Sequence, residues 1–195
     1  MTKNLLKRVE NCQECAGVLV DGVRPVLQIS SQAKILIAGQ APGRKVHESG
    51  IPFDDASGDR LREWMGIDKE VFYNAEKMAI LPMGFCYPGT GKSGDLPPRK
   101  ECAKKWRAPV LAAMPNIELI LVIGKYAQDY HLDPTICGKG AGVTEIVKAW
   151  QRFWPQALPL PHPSPRNNIW LKKNDWFEAE ILPSLRSRVD NLIRS

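Results

Sequence analysis

The side chains best suited to acid–base chemistry in this sequence are two adjacent carboxylates and one histidine. Asp54 and Asp55 follow Phe53 in residues 51–58 (IPFDDASG), just ahead of a helix-like segment. A carboxylate there could activate water as a general base, and the phenyl ring could stack on a planar ligand. His162 lies in residues 162–168 (HPSPRNN), where the neighbouring prolines restrict the backbone that carries it.

Each of these patterns also has a structural interpretation. Asp55 and Ser57 are good N-cap residues, so they could serve only to begin a helix. The polar residues at 166–168 offer hydrogen-bond donors for phosphates or base edges, but a proline-rich segment also suits a rigid surface loop. Both interpretations stay open on the residues alone. His47 and His131 have no comparable setting, and we interpret them as surface or core residues.

A glycine-rich turn follows the first apolar run of the chain. Residues 39–43 (GQAPG) are small enough to let backbone N–H groups approach a ligand closely. The segment lacks the Gly-Lys-Ser/Thr ending of a phosphate-binding Walker loop, and it is not Gly-x-Gly-x-x-Gly. A plain turn is therefore the alternative.

The cysteines suggest a metal or cluster site. Cys12 and Cys15 form a C-x-x-C pair, and Cys86 and Cys102 lie far along the chain. Four thiolates could hold Zn²⁺ or an iron–sulfur cluster, although only the first pair has ligand spacing. Cys137 fits no pattern.

Four apolar runs, each bounded by turn residues, must position these groups. The runs at 34–38, 78–81, 117–123 and 157–160 read as buried parallel strands, because both faces of each are apolar. Helical spacing covers 57–65 with Ser57 as its N-cap, and also 101–114, 126–132, 143–153 and 176–193. We therefore predict a three-layer α/β/α fold with a mostly parallel four-stranded sheet, as one domain over residues 1–195. The turn at 39–43, the loop after Leu81 and the loop that carries His162 would meet at the carboxyl ends of the strands.

Composition narrows the class of protein. The 195 residues carry a net charge of +6 and are 44% hydrophobic, as in an ordinary globular protein. No apolar run is long enough to span a membrane, and no signal peptide is recognisable, so we expect a cytoplasmic protein with reduced thiols. The basic surplus permits a nucleic-acid partner without proving one.

Taken together, the motifs resemble those of the uracil-DNA glycosylase superfamily, nearest to the bacterial and archaeal family 4 and family 5 enzymes. The family 4 order is Cys-x-x-Cys, a strand into Gly-Glu-Ala/Gly-Pro-Gly, Gly-x-Pro-Phe-x-x-x-x-Gly, two further cysteines and His-Pro-Ser. The corresponding residues here are Cys12/Cys15, 39–43, Gly50–Phe53 with Gly58, Cys86, Cys102 and His162–Ser164. The resemblance spans most of the chain, from about residue 12 to residue 170.

The resemblance implies an enzyme that flips a deaminated base out of DNA and hydrolyses its N-glycosidic bond, as in base excision repair. It implies that Phe53 stacks on the base and that His162 stabilises charge on the departing base. The turn would position water and base through Gly39, Gln40, Ala41, Pro42 and Gly43. The loop with Ser164, Arg166, Asn167 and Asn168 would enter the duplex. The resemblance also implies a [4Fe-4S] cluster, held by Cys12, Cys15, Cys86 and Cys102. We further expect a monomer that acts on damaged DNA.

Two positions depart from the family 4 pattern. Gln40 replaces a glutamate and cannot act as a general base. Family 5 instead has an aspartate two residues before a small residue and glycine, which Asp55 fits, so we assign water activation to Asp55, with Asp54 as the substitute. Pro82 replaces the asparagine that reads uracil, so the base stays open. A weakly active or inactive nucleic-acid-binding member of the fold is the alternative.

Overall fold

The strands form at the apolar runs, as the sequence predicts. The computed structural model describes residues 2–92, 94–138 and 140–194. Its strands are β1 (Ile35–Ala38), β2 (Met78–Ile80), β3 (Thr90–Gly91), β4 (Gly94–Asp95), β5 (Leu119–Ile123) and β6 (Ala157–Leu160). The main sheet has the order β2–β1–β5–β6 with parallel neighbours, which confirms the predicted four-stranded sheet.

The register keeps the carboxyl ends of the strands at one edge. Ile35 pairs with Met78 on one side and with Leu119 on the other, and Ile120 pairs with Ala157. Every residue of β1 and β2 is buried, which explains their uninterrupted apolar sequence. The loops after β1, β2 and β6 therefore emerge at the same edge of the sheet, with β5 between β1 and β6.

The helices are mostly short. They are α1 (Thr2–Glu10), α2 (Arg44–Ser49), α3 (Ala56–Met65), α4 (Lys69–Phe72), α5 (Lys100–Cys102), α6 (Ala108–Ala112), α7 (Gly124–His131), α8 (Pro134–Cys137), α9 (Val143–Lys148), α10 (Asn168–Lys173) and α11 (Leu182–Arg194). Two π-helical segments (Ala103–Arg107 and Phe177–Ile181) and two 3-10 turns (Trp150–Arg152 and Pro165–Asn167) adjoin them. Within the described residues, no helix combines the length and apolar character needed to cross a membrane.

Helices cover both faces of the sheet. Ile35 and Ile37 point to one face and pack in the cluster formed with α3 and α11. Leu36 points to the other face, in the cluster that holds α1, the first π-helical segment and α6. This arrangement confirms the three-layer α/β/α prediction.

The start of α3 confirms the capping interpretation of Asp55 but not that of Ser57. Its N-cap is Asp55, whose Oδ1 accepts a hydrogen bond from the Gly58 N–H at 2.9 Å, so the assignment of Ser57 as N-cap is wrong. Asp55 is better placed because its side chain reaches the N–H three residues ahead. The helix ends at Gly66, in the left-handed conformation with φ 69°, as predicted.

Prolines interrupt two predicted helices. The stretch 101–114 is α5, the π-helical segment Ala103–Arg107 and α6, and the stretch 176–193 contains the second π-helical segment before α11. Pro109 and Pro183 follow these segments closely and provide no N–H for a regular helical hydrogen bond. Two further elements were not predicted: α2, which lies within a predicted polar loop, and the β3–β4 hairpin.

Candidate active site

A cavity of about 490 Å³ opens at the carboxyl ends of the parallel strands. Turn 39–43, Phe53, Asp55 and the loop from His162 all line it. Pro82, in the loop after Leu81, lines it too, so the three loops that we expected at the carboxyl ends of the strands meet in one place. Of the predicted site residues, the lining contains Gly39, Gln40, Ala41, Pro42, Gly43, Phe53, Asp55, His162, Ser164, Arg166 and Asn167.

Phe53 is held by an uncommon backbone conformation. Its φ is 55°, in the left-handed region that bulky residues rarely occupy. The ring packs edge-on against Phe72, with the two ring centroids 6.2 Å apart. If Gly39 carried a Cβ atom, that atom would lie 3.5 Å from Cζ of the Phe53 ring. The Phe53 carbonyl oxygen would lie 1.8 Å from a Cβ at residue 58. Gly58 is thus required by the position of Phe53, whereas a Cβ at residue 39 would make only an ordinary van der Waals contact with its ring.

Asp55 serves as a helix cap and also faces the cavity. Its Oδ1 accepts from the Gly58 N–H, and Oδ2 receives no hydrogen bond from any described residue. The capping and catalytic interpretations are therefore compatible in this structure. Asp54 is exposed and does not line the cavity.

The His162 ring faces the same cavity from the loop after β6. Its Nδ1 accepts a hydrogen bond from the Ser164 N–H at 3.2 Å. Burial lowers the pKa of the imidazole below its usual value, and this outweighs the opposite effect of the Asp55 and Asp95 carboxylates. The ring is therefore neutral near pH 7, and because Nδ1 accepts, its proton resides on Nε2.

The polar residues after His162 differ in their contacts. Asn167 Nδ2 donates to the His162 carbonyl oxygen at 2.7 Å, and the Arg166 N–H donates to Ser164 Oγ at 3.2 Å. Asn168 does not line the cavity, and its Oδ1 accepts from Arg60 at 2.7 Å. The two asparagines therefore shape the loop. The exposed Arg166 guanidinium instead extends over Gly94, so that a Cβ atom added to Gly94 would lie 2.6 Å from Arg166 Nη1.

Turn 39–43 is anchored through its carbonyl groups. Gly39 O accepts from the Met83 N–H at 2.9 Å, and Gln40 O accepts from the Gly84 N–H at 3.0 Å. These bonds join the turn to the loop after β2. The Gln40 side chain remains in the cavity lining, where its amide can both donate and accept.

Asp95 is a carboxylate of the cavity that the sequence analysis missed. It lies on β4, and its Oδ2 would be 3.6 Å from a Cβ at Gly43. Glycines on either side of a short polar turn, at 91 and 94, are typical of a hairpin and could have indicated this element. Arg44 and Lys45 add positive charge to the lining.

Pro82 lines the cavity, and a buried arginine holds its backbone. Arg107 is fully buried, and its Nη1 donates to Leu81 O at 3.2 Å and to Pro82 O at 2.9 Å. Arg107 Nε donates to His131 Nε2 at 3.0 Å. His131, which is partly buried, thus supports the cavity wall indirectly.

A second, smaller cavity is lined by four thiols, those of Cys12, Cys15, Cys86 and Cys102. The Trp106 indole N–H donates to Cys12 Sγ at 3.2 Å, and the Phe85 N–H donates to Cys102 Sγ at 3.4 Å. Burial raises the pKa of Cys86 to about 11 and that of Cys102 to about 12. All five cysteines of the chain are unbridged.

The chemistry of this cavity fits an iron–sulfur cluster. Four sulfurs with N–H donors and walls that include Val23, Pro25 and Trp106 are a donor set typical of such sites. Among the residues that the structure describes, no three ligand-type side chains are grouped as ligands of a single metal ion. A four-iron cluster takes one thiolate per iron, so its ligands need not converge on one point.

Comparison with known protein families gives a match over most of the chain. The family model described as the uracil DNA glycosylase superfamily matches residues 27–186. The match includes turn 39–43, the Phe53–Asp55 segment, the His162 loop, Cys86 and Cys102. It begins after Cys12 and Cys15.

Proposed function

Because this chain belongs to the uracil-DNA glycosylase superfamily, we propose that it is a monofunctional DNA glycosylase that removes uracil or a related deaminated base. The observation that carries the proposal is the meeting of Asp55, His162 and Phe53 in one cavity, although they come from separate segments. A carboxylate can activate water, a neutral imidazole can donate a hydrogen bond to the departing base, and an aromatic ring can stack on a flipped base.

The Phe53 ring and the glycine turn bind the flipped base. The ring offers a stacking face, and its contact with Gly39 sets it beside the turn. The backbone N–H groups of the turn and the side-chain amide of Gln40 can form hydrogen bonds with the base and with water. Pro82 offers the base no side-chain hydrogen bond, so recognition of the base edge falls to the other lining groups.

Asp55 acts as the general base. Its Oδ1 is occupied by the cap, and Oδ2 accepts a proton from the attacking water. The water oxygen forms a bond to C1′ of the deoxyribose as the C1′–N bond breaks, and the electron pair of that bond leaves with the base.

His162 stabilises the departing base. The Ser164 N–H occupies Nδ1, so Nε2–H is the group that can donate to a base oxygen as negative charge develops there. The products are the free base and an abasic site.

The DNA strand binds along the rim of the cavity. Arg166, Arg44 and Lys45 place positive charge there, and the chain carries a net charge of +6. The loop at 164–168 enters the duplex beside the extruded nucleotide. We propose that the protein acts as a monomer in the cytoplasm, a compartment in which its thiols stay reduced.

We also propose a [4Fe-4S] cluster on Cys12, Cys15, Cys86 and Cys102. When bound, such a cluster supplies a covalent cross-link between chain segments, and base release does not pass through it. The cysteines occupy a cavity separate from that of Asp55 and His162.

A base-release assay tests the proposed activity. The purified protein should convert an oligonucleotide with uracil, hypoxanthine, xanthine or an oxidised pyrimidine into one that breaks only after alkali. Single-stranded and double-stranded substrates both belong in the panel. Release of none of these bases would overturn the proposal, and strand breakage before alkali would contradict a monofunctional enzyme.

Asp55→Asn tests the general base. Asparagine still caps α3, so only the charge is lost, and the single-turnover rate should fall about 10²–10⁴-fold while DNA affinity remains. Asp68→Asn is the matched control, because Asp68 caps α4 through the Val71 N–H at 2.8 Å and lies outside the cavity lining. Loss of activity in Asp54→Asn but not in Asp55→Asn would transfer the role to Asp54.

A binding protein without catalysis is the second candidate. Gln40 and Pro82 favour it, because they replace a carboxylate and an amide in the family 4 pattern. Tight, salt-dependent DNA binding without release of any base would identify this function.

A further inference from the structure

Arg60, in the second turn of α3, contacts the loop that carries His162. Its Nη1 donates to the Ser164 carbonyl oxygen at 3.0 Å, and its Nη2 donates to Asn168 Oδ1 at 2.7 Å. The two acceptors lie on either side of the 3-10 turn Pro165–Asn167. One planar guanidinium group therefore clamps both ends of this turn.

Ser164 links Arg60 to the imidazole. The carbonyl oxygen of Ser164 accepts from Arg60, and its N–H donates to His162 Nδ1 at 3.2 Å. The bond from Asn167 Nδ2 to His162 O shapes the loop internally but does not attach it to α3. In the described part of the chain, both hydrogen bonds between α3 and residues 161–168 come from Arg60.

The same helix carries the general base at its start. Asp55 is fixed to α3 by the Gly58 N–H, and Arg60 fixes the His162 loop to α3 one turn later. We infer that Arg60 is a positioning residue that sets His162 relative to Asp55 through Ser164. The inference deepens the proposed function and rests on it. Catalytic groups must be held within about 0.5 Å of their working geometry, so loss of this clamp should affect the chemical step.

The chemistry of arginine explains why this residue type is used. Both acceptors are neutral, so the contact is a directional pair of hydrogen bonds rather than an ion pair. A lysine keeps the positive charge but lacks the planar fork that reaches two acceptors together. The Arg60→Lys variant therefore distinguishes an effect of positioning the loop from an effect of the positive charge alone.

Single-turnover base release at saturating DNA is the first test. We expect Arg60→Ala to lower the rate constant about 10–100-fold with little change in DNA affinity, and Arg60→Lys to recover only part of it. Arg186→Ala is the matched control. Arg186 also donates to α3, at Glu63 O (3.1 Å) and Trp64 O (3.3 Å), but it does not line the cavity. Its loss should leave the rate within about 2-fold, because it removes packing without moving His162.

Amide hydrogen exchange in the DNA-free protein is the second test, and it requires no activity. Arg60→Ala should speed exchange of the Asn167 N–H, which donates to Ser164 O at 2.9 Å, whereas Arg186→Ala should not. Equal effects of the two alanine variants on rate and exchange would overturn the inference, and so would faster exchange with an unchanged rate. A wild-type protein that releases no base would refute the proposed function, and the exchange result would still test the clamp.

Discussion

At the scale of the residue, Phe53 shows how one backbone conformation constrains its neighbours. Its left-handed φ of 55° directs the ring toward Gly39 and the carbonyl oxygen toward Gly58. A non-glycine residue in this region costs about 1–3 kcal/mol and persists only where the surroundings enforce it. Such strain is concentrated at functional sites, which agrees with the place of Phe53 in the cavity.

Gly58→Ala is expected to disrupt the site. A Cβ would lie 1.8 Å from the Phe53 carbonyl oxygen, so the segment must move. We expect a loss of about 1–3 kcal/mol in unfolding free energy, measured by urea denaturation, and loss of base release. Gly17→Ala is the control, since a Cβ there meets nothing within 4 Å. Unchanged stability and activity in Gly58→Ala would contradict the role given to Gly58.

At the scale of the element, Arg107 and His131 join the first π-helical segment to α7. Burial lowers the Arg107 pKa to about 10, so the guanidinium stays charged at neutral pH. Burial, together with the Arg107 charge, lowers the His131 pKa to about 3. His131 is thus a neutral acceptor for Arg107, which in turn holds the Leu81 and Pro82 carbonyl groups at the cavity wall.

This contact predicts a pH dependence of stability. The folded pKa of His131 lies below the unfolded value of 6.5, so its contribution is complete above pH 6.5 and is lost as pH falls toward 3. Between pH 7 and 5, wild type should lose about 1–2 kcal/mol more unfolding free energy than His131→Gln, which keeps an acceptor but cannot titrate. Urea denaturation measures the difference. Parallel curves over this interval would show that His131 does not titrate in this way.

At the scale of the whole molecule, the thiol cavity and the Asp55–His162 cavity are separate and are lined by different segments. The thiol cavity gathers the segment after α1, the loop after β2 and the end of α5. These segments are distant in sequence. A cluster bound to cysteines of all three would cross-link them, as a disulfide cross-links two cysteines. The Asp55–His162 cavity lies instead at the carboxyl ends of the strands.

The proposed cluster predicts a coloured protein. After anaerobic purification it should be brown, with broad visible absorbance and with iron and sulfide on analysis. Cys102→Ser should lose the colour and unfold at lower urea concentration, because the cross-link is lost. Cys137→Ser should retain both properties, since Cys137 lies outside the thiol cavity. A colourless protein that contains zinc or no metal would contradict the cluster.

Local pattern was sufficient for the sheet and for the meeting of the loops. Strands buried on both faces need uninterrupted apolar residues, and parallel strands bring their following loops to one edge. The π-helical segments and the hairpin could not be predicted as easily, because their hydrogen bonds depend on prolines and glycines whose effect varies with the surrounding packing.

The α/β class was thus readable from the periodicity of the apolar runs, and the candidate site residues were readable from their motifs and from the family that these motifs resemble. The hydrogen bonds from Arg60 to the His162 loop and the approach of Asp95 to turn 39–43 became visible only in the folded chain. Arg60 and Ser164, for example, are 104 residues apart. No local pattern encodes such a contact, because it exists only when the packing of the sheet brings α3 beside the loop after β6.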